Sequence, residues 1–190
     1  IRETQQFLYD NFQSPDQRTH VLVEGNVTDP GTLERIAAAE RDAADRSVVF
    51  SRPNGEPSVR GPVAAMRDVA DADAEFAEVF NGADTTGDGI PDENLTTVYD
   101  SFFEAAPDRA QRLLHRSDGE YRAAQIELVV DGTVAPADAA SEIRAVGDVA
   151  GDSNAEITVT GDVIVNELVQ RQLATTTVQG LAVALLAVFL

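Results

Sequence analysis

The feature that most constrains this chain is an apolar run at its C-terminal end. Residues Val178 to Leu190 read VQGLAVALLAVFL and are apolar except for Gln179 and Gly180. At ~1.5 Å per residue a helix of this run is about 20 Å long, which is shorter than a ~30 Å hydrocarbon core. The run therefore predicts the first part of a membrane-spanning helix. A buried core helix of a soluble domain is the alternative, because apolar runs of this length also occur there.

The residues that approach this run indicate the side of the membrane. Arg171 is the only basic residue after Arg144, whereas acidic residues are frequent in the same stretch. Cytoplasmic flanks of membrane helices usually carry an excess of Lys and Arg. The first residue is Ile1 and no signal peptide is visible, so we expect both ends to be fragment boundaries. We expect a domain on the extracellular side of a cell membrane, with a helix over 162–190 leading into the bilayer.

The composition is strongly acidic. All 14 basic residues are arginine, and 33 acidic residues leave a formal net charge of −19 on 190 residues. Such a surface repels itself unless salt screens it, and the composition resembles that of proteins from extreme halophiles such as haloarchaea. Nucleic acid is excluded as a partner because no basic stripe is present to neutralise phosphates. The absence of cysteine excludes disulfides, thiolate metal sites and cysteine nucleophiles.

Two units of strand, helix and strand follow one another along the chain. The predicted strands are rich in alternating or β-branched apolar residues, and they cover Thr19–Asn26, Ser47–Ser51, Tyr121–Val130 and Glu156–Thr160. The predicted helices have apolar residues at helical spacing, and they cover Pro30–Arg46 and Pro136–Val149. One four-stranded sheet with both helices on one face is an α+β, ferredoxin-like sandwich.

The other segments are predicted to be mostly helical. Residues 1–18 would form a helix that follows a preceding membrane helix, and residues 52–120 would form a helical insertion between the units at 19–51 and 121–161. The insertion is predicted to contain two helices, Pro62–Phe80 and Asn94–Arg116, the second divided at Pro107. In the first of these, the inward residues at helical spacing are Met66, Val69, Phe76 and Phe80.

Three short motifs occur in order along the two units. They comprise Val21, Val23 and Gly25 in the first strand, then Ser117, Asp118, Gly119, Ala123 or Ala124, and Ile126 at the second unit, then Thr160 and Gly161 before the last helix. Their order and spacing resemble the first or second large extracytoplasmic loop of the resistance-nodulation-division (RND) superfamily. The resemblance is greatest to the MMPL-like branch, which includes lipid and hopanoid exporters, and it covers most of the chain except 52–93.

The resemblance implies the porter domain of a proton-driven exporter of lipids or hydrophobic compounds. Its implied partners are the membrane, a second porter domain of the same protein and a hydrophobic substrate, and oligomerisation is left open. The proton-relay carboxylates of such proteins lie in membrane helices outside this chain, so we expect no catalytic residue and no enzymatic activity. The alternatives are a SecDF-like translocation subunit of the same superfamily and a membrane-anchored extracellular module for calcium binding or adhesion.

One acidic loop has the pattern of a calcium site. Residues 84–93 read DTTGDGIPDE and resemble D-x-D-x-D-G loops, in which alternate oxygens surround a hard cation. The predicted ligands are the side chains of Asp84, Thr86, Asp88 and Asp92 and the carbonyl oxygen of Ile90. The pattern departs from such loops at Thr86, where Asp or Asn belongs, and at Leu95, where a bidentate acidic ligand belongs. The alternative is an acidic surface turn in which Asp92 or Asn94 caps the next helix.

No other motif predicts a site. His20 is predicted in a strand and His115 at a helix end, and neither has the spacing of a metal-ligating pair. Acidic pairs such as Asp71 and Asp73 are typical of a solvated helix face in a chain this acidic. Calcium is therefore the one candidate cofactor that the sequence indicates.

Overall fold

The sheet is built on two segments that the sequence predicts to be strands. They are the two longest strands of the computed structural model, which describes residues 17–151, 155–169 and 171–173. The strands of the sheet all pair antiparallel, and they are β1 (Gln17–Gly25), β2 (Val59–Arg60), β3 (Leu114–Ser117), β4 (Glu120–Val130) and β5 (Ala155–Gly161). The α+β class is confirmed, and the described sheet has five strands rather than the expected four.

The long strands β1 and β4 lie next to each other inside the sheet. The strand order is β2–β4–β1–β5, and β3 pairs with the other half of the β4 edge that β2 occupies. Val21 of β1 lies opposite Ile126 of β4 and opposite Val159 of β5. Because side chains alternate between faces, this register brings the buried Val21, Val23 and Ile126 to one face of the sheet.

Six helices lie between residues 30 and 150, and residues 162–169 and 171–173 are helical as well. The six are α1 (Pro30–Asp45), α2 (Pro62–Ala72), α3 (Ala74–Gly82), α4 (Leu95–Ala105), α5 (Pro107–Leu113) and α6 (Pro136–Ala150). We call residues 162–169 and 171–173 the C-terminal helical segment. No helix in the described ranges is long and apolar enough to cross a membrane. The expectations for 1–16 and for Val178–Leu190 fall outside the described residues.

Helices α1 and α6 begin where the sequence predicts. Asp29 is the N-cap of α1, and its carboxylate accepts a hydrogen bond from the Thr32 amide at 3.0 Å. The two helices pack against each other, and their buried apolar residues join the buried face of the sheet in one core. Arg46 at the end of α1 connects the pair, because its guanidinium bonds both Asp42 of α1 and Glu142 of α6.

The prediction of one helix over Pro62–Phe80 was wrong. The chain forms two helices, α2 and α3, that meet at Asp73, whose carboxylate accepts hydrogen bonds from the amides of Glu75 and Phe76 at 3.0 Å each. A capping aspartate ends one helical hydrogen-bond ladder and starts the next. The four residues expected to point inward are all buried: Met66, Val69, Phe76 and Phe80.

The prediction of a strand over Ser47–Ser51 was also wrong. In this stretch Val49 and Ser51 form only isolated bridges, with Val130 and Pro57. The chain then turns, with the Gly55 amide bonded to the Arg52 carbonyl at 2.8 Å, and Gly55 has φ +84, a conformation that glycine adopts without strain. Because this turn returns the chain to the β4 edge, the pairing continues at β2, after the stretch that the sequence indicated.

The helix predicted over Asn94–Arg116 ends at Leu113, and His115 lies in strand β3 rather than at a helix end. The reason is the turn that follows. Asp118 and Gly119 connect β3 to β4 with φ values of +54 and +83. Two central residues with positive φ make the tight turn that matches the twist of a β-hairpin, and Asp-Gly is a preferred pair for it. This hairpin draws the preceding residues into the sheet.

Candidate functional site

The acidic loop between α3 and α4 is organised around the carboxylate of Asp84. Its oxygens accept hydrogen bonds from the amides of Gly87 at 2.7 Å, Asp88 at 3.2 Å and Gly89 at 2.7 Å. Gly87 and Gly89 have φ values of +76 and +79, which side chains with a Cβ rarely adopt. The two glycines therefore allow the backbone to wrap around one carboxylate.

The other two carboxylates of the loop hold different parts of the backbone. Asp88 accepts from the amide of Ile90 at 2.9 Å. Asp92 accepts from the Thr85 hydroxyl at 2.7 Å and from the amides of Thr85 at 3.1 Å and Thr86 at 3.0 Å. The Thr85 hydroxyl bond, with these amide bonds, lowers the pKa of Asp92, because hydrogen bonds to the charged form favour it.

Helix α2 holds the loop in place through Arg67. Its Nε donates to the carbonyl oxygen of Gly89 at 2.7 Å, and its Nη2 donates to that of Asp88 at 3.2 Å. Ile90, which follows, is buried in the core. The loop is thus attached to the domain by a guanidinium on one side and an apolar side chain on the other.

The structure tests how the five predicted calcium ligands are arranged. Asp84 and Thr86 meet, since the Thr86 hydroxyl donates to Asp84 at 3.3 Å, whereas Asp88 and Asp92 bond other groups. In the described part of the chain, no three His, Cys, Asp or Glu side chains form a group that could hold a metal ion. The alternative cap of α4 is not formed, because Asn94 makes no side-chain capping bond and the Asp92 carboxylate accepts from Thr85 and Thr86 instead.

The C-terminal helical segment carries exposed apolar side chains. They lie at spacings of three and four residues, as one stripe along a helix does, and their exposed fractions are 54% for Val165, 58% for Leu168, 49% for Val169 and 63% for Leu173. The opposite side is attached to the domain, because the buried carboxylate of Glu167 bonds Arg144 of α6 at 2.9 Å and also bonds Arg171. We call the four exposed residues the apolar stripe.

A concave site at the β2 edge of the sheet was not predicted from the sequence. It has a volume of about 390 Å³, and its charged lining consists of Arg52, Arg60, Arg109, Arg112, Asp68 and Glu127. We call it the arginine pocket. Its arginines come from β2, from the turn before β2 and from α5, which are distant in the sequence. The only sequence pattern that could have indicated the pocket is the spacing of Arg109 and Arg112, which lie one helical turn apart.

A second feature that sequence reasoning missed is a carboxylate inside the core. Glu40 of α1 is 6% exposed and accepts from the amides of Val63 at 3.0 Å and Ala64 at 2.8 Å, at the start of α2. Its burial raises its pKa to about 7, and the two amide bonds act in the opposite direction. The sequence does not indicate that Glu40 is buried, because it is one of 33 acidic residues in a chain whose acidic residues are expected to be exposed.

Family models, curated proteins and solved structures contain no match to this chain. A function for this chain is therefore inferred from its own residues and their geometry.

Proposed function

We propose that this chain is the extracytoplasmic, substrate-handling porter domain of a proton-driven RND exporter of the MMPL-like type, acting on lipids or hydrophobic compounds. The observation that carries the proposal is the apolar stripe. Val165, Leu168, Val169 and Leu173 are about half exposed or more in a segment that the sequence continues into the apolar run to Leu190. Exposed apolar surface of this kind favours contact with a membrane or with another apolar surface.

The sheet supports the finer proposal of a ferredoxin-like sandwich. In the order β2–β4–β1–β5, the strands that flank α1 are β1 and β2, and those that flank α6 are β4 and β5. The two units therefore interleave in one antiparallel sheet, and α1 packs against α6. Two such units with the helices in one layer are the arrangement that the RND resemblance implies.

Charge supports the extracellular placement. The stretch after Arg144 contains one basic residue, Arg171, which bonds Glu167 and so is engaged within the domain. The membrane, a second porter domain and a hydrophobic substrate are the proposed partners. The proposal assigns the domain no catalytic residue, because energy coupling belongs to membrane helices in this superfamily.

The test uses the protein encoded by the complete gene, reconstituted in vesicles. An imposed proton gradient is expected to drive movement of a lipophilic fluorescent dye across the vesicle membrane, and a protonophore is expected to stop it. Deleting the residues of this domain should abolish dye movement while leaving the remaining membrane helices inserted. Dye movement that is independent of the gradient, or a gene without further apolar spans, would refute the exporter assignment.

A variant of the apolar stripe tests the observation itself. Replacing Leu168 and Val169 by serine is expected to weaken binding of the domain to vesicles, because the apolar area removed from water decreases. Asn166→Ser is the matched control, since Asn166 is an exposed polar residue of the same segment. The measurement is the fraction of protein that floats with vesicles in a density gradient. An equal fraction for the double-serine variant and for Asn166→Ser would count against membrane contact by the apolar stripe.

Calcium binding at the acidic loop is a second proposal. The observation in its favour is that the Asp84, Asp88 and Asp92 carboxylates lie in one loop whose backbone is already held by Arg67. The ion would have to replace hydrogen bonds that these carboxylates now accept from the backbone. This function is compatible with the porter assignment and also with a tethered extracellular module.

A further inference from the structure

We propose that the arginine pocket binds a phosphate monoester that carries a small apolar body. The site lies between β2, the start of α2 and helix α5, and it has a volume of about 390 Å³. That volume is within the ~300–1,000 Å³ of typical small-molecule sites. The porter function does not require this pocket, so failure of either proposal would leave the other unaffected.

Positive charge is concentrated in the arginine pocket. The chain has a net charge of −19, yet four of its 14 arginines line this one concavity. A solvated acidic surface gives no reason for arginines to gather in one place, since each could pair with a nearby carboxylate. Their convergence therefore points to a negative group in addition to the carboxylates of Asp68 and Glu127 that share the lining.

The arginines of the pocket are incompletely paired with carboxylates. In the part of the chain that the structure describes, Arg60 and Arg112 have no ion pair. Arg109 approaches Asp68 only to 4.0 Å, and both side chains are more than half exposed. Guanidinium groups in this state have donors available for a ligand, and their planar fork matches the oxygens of a phosphate.

The charged side chains of the pocket lining carry a net positive charge. Four guanidinium groups face two carboxylates, Asp68 and Glu127, so the lining has an excess of two positive charges. Glu56 approaches Arg52 from outside at 3.5 Å and Arg18 approaches Glu127 at 3.2 Å, which leaves this excess unchanged. A phosphate monoester carries a charge of about −1.5 to −2 at neutral pH, which matches the excess positive charge of the lining. A carboxylate would neutralise only half of that excess.

The remaining lining indicates what the phosphate is attached to. Apolar side chains share the pocket with the arginines, and they are Val59, Ala64, Ala65 and Leu113. The amides at the start of α2 are not available to the ligand, because Glu40 accepts those of Val63 and Ala64. The phosphate is therefore held by guanidinium groups, and the apolar side chains contact a short hydrocarbon portion.

The experiment is calorimetric titration of the full chain in molar KCl with three probes: n-butyl phosphate, inorganic phosphate and n-butanol. Butyl phosphate is expected to bind, inorganic phosphate to bind several-fold more weakly, and butanol to give no heat. Arg60→Gln and Arg112→Gln are each expected to weaken butyl phosphate binding about tenfold, because each removes a charge-assisted hydrogen bond. The two variants change exposed side chains, so both are expected to keep the parent melting temperature.

Arg122→Gln is the matched control, because Arg122 is an exposed arginine that pairs with Glu120 and does not line the pocket. It is expected to bind butyl phosphate as the parent does. No heat with butyl phosphate, or equal weakening by Arg60→Gln and Arg122→Gln, would overturn the proposal. Inorganic phosphate that binds as tightly as butyl phosphate would overturn the assignment of an apolar body.

Discussion

The Glu40 side chain shows how one residue joins two helices. It lies on α1 but accepts hydrogen bonds from the first available amides of α2, after Pro62, which has no N–H. Gly61 makes room for it, since a Cβ at position 61 would lie 2.2 Å from the nearer Glu40 carboxylate oxygen. The carboxylate thus acts as a helix cap supplied by a different helix.

The buried Glu40 predicts a pH dependence of stability. Its ordinary pKa of 4.5 is raised to about 7 in the folded chain, so the folded state holds a proton that the unfolded state has already lost. The free energy of unfolding is therefore expected to fall as pH rises from 4.5 to 7 and then to level off, with a contribution on the order of 3 kcal/mol. Denaturant unfolding at fixed salt across this range measures the profile.

Glutamine substitutions separate this effect from general acidity. Glu40→Gln is expected to remove the fall between pH 4.5 and 7, because glutamine does not titrate. Glu34→Gln, on the exposed side of the same helix, is expected to give a profile parallel to the parent. A parallel profile for Glu40→Gln would contradict the assignment.

At the scale of elements, capping and turn residues determine where helices and strands begin and end. The Asp73 carboxylate divides α2 from α3, and the Asp118-Gly119 turn sets the pairing of β3 with β4. The acidic loop is another such element, since Asp84 accepts three backbone amides and fixes the path from α3 to α4.

The acidic loop predicts a calcium-dependent gain in stability. Added calcium is expected to raise the melting temperature beyond the effect of a monovalent salt at equal ionic strength, because an ion that binds only the folded state stabilises it. Asp88→Ala should remove that increment, whereas Asp71→Ala, an exposed acidic residue of α2, should retain it. If calorimetry in molar salt shows no calcium heat and Asp88→Ala melts as the parent does with and without calcium, the loop is a turn and not a metal site.

At the scale of the whole molecule, the charge of −19 is the dominant electrostatic fact. The described ion pairs include several exposed ones, such as Arg122 with Glu120, and exposed pairs contribute little to stability. Repulsion among the remaining carboxylates is consequently expected to oppose the compact state unless ions screen it.

Salt is therefore expected to stabilise the domain steeply. The melting temperature should rise between low salt and molar KCl, because the Debye length shortens from ~10 Å at 0.1 M to ~3 Å at 1 M. An uncharged osmolyte at matched osmolality is the control, and it should give a smaller increase because it does not screen charge. A melting temperature that is flat across the KCl series would show that the acidity is not an adaptation to high salt.

Local patterns by themselves determined the two long strands and the two helices that pack together on the sheet. The β-branched and aliphatic residues around Val21 predicted β1, and the alternation around Ile126 predicted β4. The Asp29-Pro30 start predicted α1, because helix caps depend on residues close in sequence. The sequence also identified the acidic loop, and it predicted the carboxylates of Asp84 and Asp92 as cation ligands. In the folded loop these carboxylates accept hydrogen bonds from backbone amides.

Only the tertiary structure decided the features that depend on contacts between distant residues. Val49 bridges β4 at Val130, and the pairing resumes at Val59 opposite Leu128, because the turn at Gly55 sets which residues return to that edge. Arg60 and Arg112 meet in one pocket, and Glu40 is buried against α2, through packing between separate elements. Such positions carry no local signal, since the partner that gives each side chain its environment lies tens of residues away in the sequence.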